Sequence, residues 1–194
     1  MAILRLESGA IYTEIVANHE IEHQLNSLQI GIGMLPLKQY LAQPDKSAAL
    51  QQLFELDVLT LAQKQEILQL LRPKTAAIEH FGNCIYYDLI AVNLASPSLY
   101  QLLAQGSRPH VHTEDQVLYL LSGECIVGFL HPDGYLVELM LRAQEYLKVP
   151  AGVRHWFSLS ASLDIKAVRY FTQARKDCPK KSHDEFHYSC RSSD

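Results

Sequence analysis

Three histidines in this chain have the residue type and the spacing of metal ligands. His110 and His112 are separated by one residue, so on a β-strand, where side chains alternate with period two, both imidazoles face the same side. Gln116 has the same parity, and His155 follows a turn that begins at Pro150. Three imidazoles suit Fe, Ni, Co, Cu or Zn, whereas Ca and Mg prefer oxygen ligands. The pattern therefore predicts a site for one divalent transition-metal ion.

The alternative is that His110 and His112 form an accidental pair on the surface, which is the commoner case for an isolated His-x-His tripeptide. Here a Gly-containing turn follows, and then the segment Pro150-Ala-Gly-Val-Arg-His-Trp-Phe157, and this context favours the metal site. We expect the remaining histidines outside the C-terminal segment to be structural or solvated, namely His19, His23, His80 and His131.

Closely spaced strands in the second half of the chain must position these residues. The segments there are rich in β-branched and aromatic residues, which predicts strands. Turn signals such as Ser122-Gly123 separate them, and a short helix is expected at 96–105. The pattern predicts a mainly β fold, either an antiparallel barrel or a double-sheet jelly roll. The predicted strands are 85–92, 109–112, 116–122, 124–130, 135–141, 146–149, 155–160 and 164–172.

The first part of the chain has apolar residues at helical spacing instead. It predicts helices at 17–28, 45–54 and 61–81, the last broken at Pro73 with a further turn as far as Gly82. We therefore expect an N-terminal helical region packed on a barrel within a single domain. The predicted division is 1–83 for the helical region, 84–172 for the barrel and 173–194 for a polar, flexible tail.

That tail has a weaker pattern of its own. Its spacing, C-x4-H-x3-H-x2-C, has the ligand types of a structural zinc site, although such spacing also arises by chance in a polar segment. The four residues are Cys178, His183, His187 and Cys190.

Composition and charge exclude several classes of partner. The 194 residues have a formal net charge of -4, which gives no electrostatic reason to expect nucleic acid. No run approaches the roughly 18 apolar residues of a membrane span, and the first residues lack the order of a signal peptide. The four cysteines have no CxxC spacing and are expected to be free thiols. We expect a cytoplasmic monomer or homodimer that binds a small molecule.

Several segments of the chain together match the pattern of one known family. The segments are Leu25 to Gly31, Gly82 to Asp88, His110-Val-His-Thr-Glu-Asp-Gln-Val-Leu-Tyr119, Pro150 to Phe157 and Ala167-Val-Arg-Tyr-Phe171. With these segments the chain resembles the acireductone dioxygenases of the cupin superfamily. The resemblance covers most of residues 20 to 172. It implies a cupin double-stranded β-helix barrel, and it implies an enzyme that cleaves an acireductone with dioxygen in methionine salvage.

The resemblance also implies roles for individual residues. His110, His112 and His155, with Gln116 as fourth ligand, would bind Fe(II), with Ni(II), Co(II), Mn(II) or Zn(II) as alternatives. The substrate would be an enediol of the 1,2-dihydroxy-3-keto-5-methylthiopentene type, giving formate and a 2-oxo acid with iron, or carbon monoxide with nickel. The other site residues implied are Arg169, holding a substrate oxygen, Phe157 and Leu118, lining the pocket, and Asp115 near the metal.

Two positions depart from the family pattern. Gln116 stands where the family has a glutamate ligand, and Leu118 stands where it has an arginine. A neutral amide holds a dication less tightly than a carboxylate, so metal affinity should fall. Glu114 or Asp115 can be considered as a replacement carboxylate. Two other functions remain open, a metal-dependent lyase or isomerase acting on an enediol or dicarbonyl, and a cupin that binds a small molecule without catalysis.

Overall fold

The computed structural model describes residues 2–8, 11–37, 44–79 and 86–172. Within these ranges the helices are α1 (Asn18–Asn26), α2 (Pro44–Phe54), α3 (Leu61–Glu79) and α4 (Leu99–Gly106). The strands are β1 (Ile3–Ser8), β2 (Ile11–Ile15), β3 (Gly31–Met34), β4 (Tyr86–Val92), β5 (Gln116–Leu130), β6 (Leu136–Arg142), β7 (Glu145–Val149), β8 (His155–Leu159) and β9 (Ile165–Phe171).

The long strand β5 is the centre of the β-structure. Its first half pairs with β7 and β9, its second half pairs with β6 and β8, and all four pairings are antiparallel. A register shift between Leu120 and Ser122 marks the point where β5 passes from one sheet to the other. This confirms the mainly β, antiparallel architecture that the sequence predicts.

The turn predicted at Ser122-Gly123 is wrong, because β5 continues through these residues as one strand. The turn signal marks an irregularity within the strand instead. Gly123 has a φ of 79°, and a Cβ at this position would collide with the carbonyl oxygen of Asp164. Glycine therefore allows a bend inside the strand here, because any other residue would strain the backbone and its side chain would not fit.

Two apolar cores lie on opposite faces of the sheet that contains β5 and β9. Leu118 and Leu120 face the interior between the sheets, whereas Val117 and Tyr119 belong to a second core that includes Ile67 of α3. Because both faces are covered, every residue of β9 is buried. The period-two alternation of β5 thus separates a core that contains the site from a core that supports it.

The N-terminal region is only partly helical. Helices α1, α2 and α3 lie where the sequence predicts them, but β1, β2 and β3 were not predicted. β1 pairs with β2 and with β6, while β3 pairs with β7, so this region extends the β-structure. The signal was the alternation in β1, where Leu4 is fully buried and Glu7 is exposed.

The break predicted at Pro73 is also wrong, since α3 runs continuously to Glu79. A proline inside a helix removes one hydrogen bond and strains the preceding turn, but tertiary packing often outweighs this. Ile67 and Leu71 of α3 are fully buried in the second core and anchor the helix there.

Some predictions lie outside the described residues. They include the proposed zinc ligands Cys178, His183, His187 and Cys190, as well as His80 and the flexible tail itself. Within the described part of the chain, no helix combines the length and apolar character that a membrane span requires.

Candidate metal centre

The three predicted histidine ligands come together in the structure. Each of His110, His112 and His155 offers a ring nitrogen, and these three atoms all lie within 4.8 Å of one another. The ring centroids are 5.0 Å apart for His110 and His112, 4.6 Å for His110 and His155, and 5.1 Å for His112 and His155. Imidazoles gathered this closely have the donor type and the arrangement to bind one transition-metal ion.

Backbone pairing, rather than a regular strand, places the histidines. The strand predicted at 109–112 is wrong: His110 makes only an isolated antiparallel bridge with His155, the first residue of β8. In that bridge each backbone N–H donates to the carbonyl of the other residue, at 2.8 and 2.9 Å. The Gly152 N–H donates to the His112 carbonyl at 2.9 Å, which ties the segment after the bridge to the turn before β8.

Local hydrogen bonds fix which ring nitrogen faces the site. Nδ1 of His110 lies 2.8 Å from the carbonyl oxygen of Arg108, and Nδ1 of His155 lies 2.9 Å from that of Val153. A carbonyl only accepts, so each Nδ1 carries the hydrogen and each Nε2 keeps its lone pair. A hydrogen bond from the ring nitrogen that faces away from the site is typical of histidine ligands, because it sets both the tautomer and the ring orientation.

His155 is kept neutral by its environment. It is 4 % exposed, and this burial is the main reason that its pKa is lowered to about 4. The hydrogen bond to the Val153 carbonyl opposes the shift, while the neighbouring His110 adds to it. At neutral pH the imidazole is therefore uncharged, which is the form that binds a metal.

The histidines line a mostly apolar cavity of about 40 Å³. Gln116 and Leu118 also line it, two residues apart on β5, as their shared parity predicts. Phe157 lies on the same cavity, and its contact with a substrate stays a prediction. The described lining residues are Ile90, Leu102, Gly106, His110, His112, Gln116, Leu118, Val127, Leu147, Val149, His155, Phe157 and Arg169.

Arg169 reaches this cavity from β9 and is held by a carboxylate that sequence reasoning missed. It is 3 % exposed, and its Nε donates to Oδ1 of Asp88 at 2.8 Å while its Nη2 pairs with Oδ2. Asp88 is the one charged residue in β4, whose second half is apolar, and a charged residue in such a strand needs a partner. The sequence shows this charged residue within an apolar strand, but it does not show that Arg169 is its partner.

Asp115 and Glu114 do not line the cavity among the residues that the structure describes. Asp115 accepts a hydrogen bond from the Ala151 N–H at 3.0 Å and pairs with Nζ of Lys148 at 3.4 Å. Glu114 accepts from the hydroxyl of Thr113 at 2.7 Å. Asp115 therefore anchors the turn that leads to His155, and within the described chain no carboxylate joins the three imidazoles.

A curled antiparallel β-fold with three imidazoles meeting in its interior defines a cupin-type metal protein. The family model for the ARD/ARD′ family matches residues 36–179, and the chain belongs to that family. The family recognised from the sequence motifs is thus confirmed, and with it the expectation of a dioxygenase enzyme.

Relatives match over almost the whole chain. An acireductone dioxygenase from Trichodesmium erythraeum is 36% identical over 188 residues, covering 97% of this chain and 98% of its own. One from Nostoc sp. is 40% identical over 174 residues, covering 90% of each. Among solved structures, the acireductone dioxygenase from Bacillus anthracis with a cadmium ion in its active centre has a TM-score of 0.75. That match, at 24% identity, covers 89% of this chain and 94% of the other, and it confirms the cupin fold.

Proposed function

We propose that this chain is an acireductone dioxygenase, which cleaves an acireductone with dioxygen to formate and a 2-oxo acid in methionine salvage. The observation that carries the proposal is the meeting of three imidazoles with Arg169 in one apolar cavity. The relatives of that name support it, because they match the chain over nearly its full length.

Fe(II) is the metal that we propose for this site, with Ni(II), Co(II), Mn(II) or Zn(II) able to use the same donors. His110 and His155 fit such an ion, because their Nδ1 hydrogen bonds leave the Nε2 lone pairs for it, and His112 lies beside them. The Gln116 side chain, 8 % exposed and on the cavity wall, would supply a neutral fourth donor. When bound, the ion would provide a Lewis-acidic and redox-active centre for the enediol and dioxygen.

The other cavity residues would bind and orient the substrate. Arg169 would hold an anionic oxygen, since among the described lining residues it is the one with a permanent charge. Leu118 and Phe157 would pack against the apolar part of the substrate and exclude water, which strengthens the electrostatic contacts inside.

The exchange at Gln116 and Leu118 changes how charge is balanced, not the total. With amide and imidazole donors alone, a bound dication would keep its full double charge toward the substrate. This charge can offset the missing cation at position 118 when the enediol binds as an anion. We infer that the site binds its metal less tightly than a carboxylate-containing site would, while it still attracts an anionic substrate.

The wider setting follows the same proposal. A small enediol and dioxygen are the partners, the location is the cytoplasm, and the assembly is a monomer or a homodimer.

Oxygen uptake tests the proposed function directly. Protein reconstituted with Fe(II) without oxygen is mixed with a chemically generated acireductone, and the consumption of dioxygen is followed. His112→Ala should lose uptake and bound iron, whereas His23→Ala, which changes an exposed histidine on α1, should retain both. Loss of acireductone without oxygen uptake would favour the lyase or isomerase, and binding without loss would favour a non-catalytic cupin.

A further inference from the structure

Asp88 lies behind Arg169, on the neighbouring strand. The two residues are directly opposite in the antiparallel pairing of β4 and β9. One carboxylate oxygen meets Nε and the other meets Nη2, so the carboxylate grips one edge of the guanidinium at two points. Such a two-point contact fixes the plane of the guanidinium as well as its position. Asp88 does not appear among the described residues that line the cavity.

Two apolar side chains lie close to Arg169. Its guanidinium carbon lies 5.6 Å from the centre of the Phe171 ring, and Leu118 stands opposite it in the pairing of β5 and β9. The Arg169 side chain is 4 % exposed, whereas that of Asp88 is 27 % exposed. The cation thus lies on the cavity side of the pair and the anion lies nearer to solvent.

We propose that Asp88 is a positioning residue for the reaction, which holds the Arg169 guanidinium in the plane where it meets an anionic oxygen of the substrate. The proposal rests on the proposed function, because it takes an enediolate as the ligand. Without this two-point contact Arg169 would keep its charge, but Asp88 would no longer set the plane of its guanidinium. Leu118, directly across from Arg169 on β5, has no polar group that could replace the contact with Asp88.

A positioning role and simple charge neutralisation predict opposite results. If Asp88 only weakened the positive charge of Arg169, its removal would strengthen the binding of an anion. If Asp88 sets the orientation, its removal weakens binding, because a charged contact depends on geometry. Asp88→Asn separates the two, since it removes the charge while keeping the side-chain shape.

The experiment measures acireductone binding without oxygen, followed by the ultraviolet absorption of the enediolate, and oxygen uptake in the same iron-reconstituted samples. For Asp88→Asn we expect Kd and KM to rise on the order of tenfold or more, with kcat and metal content nearly unchanged. In an Arg169→Met background the same change should have no further effect. Glu14→Gln is the matched control, because Arg5 and Glu14 form another cross-strand pair, exposed and on β1 and β2.

Each other outcome is informative. Unchanged or tighter binding by Asp88→Asn, even with a lower Tm, would overturn the positioning role, and so would loss of the metal. If this variant does not fold, Asp88→Glu decides, because its longer arm keeps the ion pair but displaces the guanidinium; binding as in the wild type would contradict the proposal. Wild-type protein that binds acireductone without oxygen uptake refutes the proposed function but still tests Asp88, whereas absence of binding refutes both.

Discussion

The two halves of the cavity are held in place by different kinds of contact. The half with His110, His112 and His155, proposed to bind the metal, is called the metal half, and the half with Arg169, proposed to bind the substrate, is called the substrate half. On the metal half, the backbone carbonyls of Arg108 and Val153 orient His110 and His155, and a backbone bridge joins the two histidines. On the substrate half, Arg169 depends on the carboxylate of Asp88, that is, on another side chain.

This difference decides which half tolerates change. A backbone carbonyl is present whatever the side chain at that position, so the orientation of the histidines survives most substitutions around them. A side-chain contact is lost by a single substitution. The two departures from the family pattern, Gln116 and Leu118, both leave the histidines and their backbone contacts in place.

Removing a histidine should break the metal half completely. His155→Ala leaves two imidazoles while keeping the backbone bridge to His110. We expect metal affinity to fall by more than the roughly hundredfold seen for outer contacts of metal ligands. Metal content after dialysis and a titration with Co(II) would measure it. The control is His19→Ala, because His19 lies on the surface. His131→Ala is not suitable as a control, because His131 is buried and contacts Ser27. Retained affinity in His155→Ala would show that the triad is not the site.

A charge introduced into the substrate half should be the next largest effect. Leu118→Arg places a second cation opposite Arg169, at a position that is 7 % exposed. We expect a loss of about 3 kcal/mol in unfolding free energy, because a buried charge without a partner is costly. Adding Gln116→Glu should restore part of it, since the new carboxylate lies two residues away on the same face.

Denaturant unfolding of both single variants and the double variant measures this coupling. Additive effects would show that positions 116 and 118 are independent, contrary to a coupled exchange. Leu118→Met, which conserves volume without adding charge, is the matched control and should cost less than about 1.5 kcal/mol.

The border between the halves should respond more mildly. Gln116→Glu alone adds a negative donor beside the three imidazoles, so we expect metal affinity to rise about tenfold, or ~1.4 kcal/mol. Competition with a coloured chelator would measure the change. Weaker metal binding than in the wild type would mean that residue 116 does not reach the ion.

The smallest effect is expected where a side chain supports the metal half from outside. Asp115→Ala removes the acceptor for the Ala151 N–H and the partner of Lys148, which loosens the turn before His155. We expect about 1 kcal/mol less stability and a severalfold loss of metal affinity. Thermal unfolding with and without metal would separate the two. Unchanged metal affinity would show that the backbone contacts alone hold the turn.

The residues of the metal half can be predicted from the sequence better than those of the substrate half. The three histidines were found from residue type and spacing, although the strand assumed for His110 and His112 does not form. Their convergence comes instead from the bridge to His155 and the turn at Gly152, which a period-two argument does not describe.

Contacts between distant segments account for what was missed. The pair of Asp88 and Arg169 joins residues 81 positions apart, and only the pairing of β4 with β9 brings them together. In the same way, Leu4 and Leu6 alternate with Arg5 and Glu7, but β1 is stabilised as a strand by β6, which follows far along the chain. Local patterns indicate that a residue needs a partner, and topology decides which one.

The bend in β5 links the stability of the whole barrel to its site. Because β5 belongs to both sheets, the two sheets are expected to unfold together. The same strand begins at Gln116, which lies on the cavity wall. An ion that binds only the native state raises the unfolding free energy by an amount set by its concentration and Kd. Because β5 is shared, we expect one unfolding transition for the whole barrel, with a Tm that rises when metal is added and falls when it is chelated.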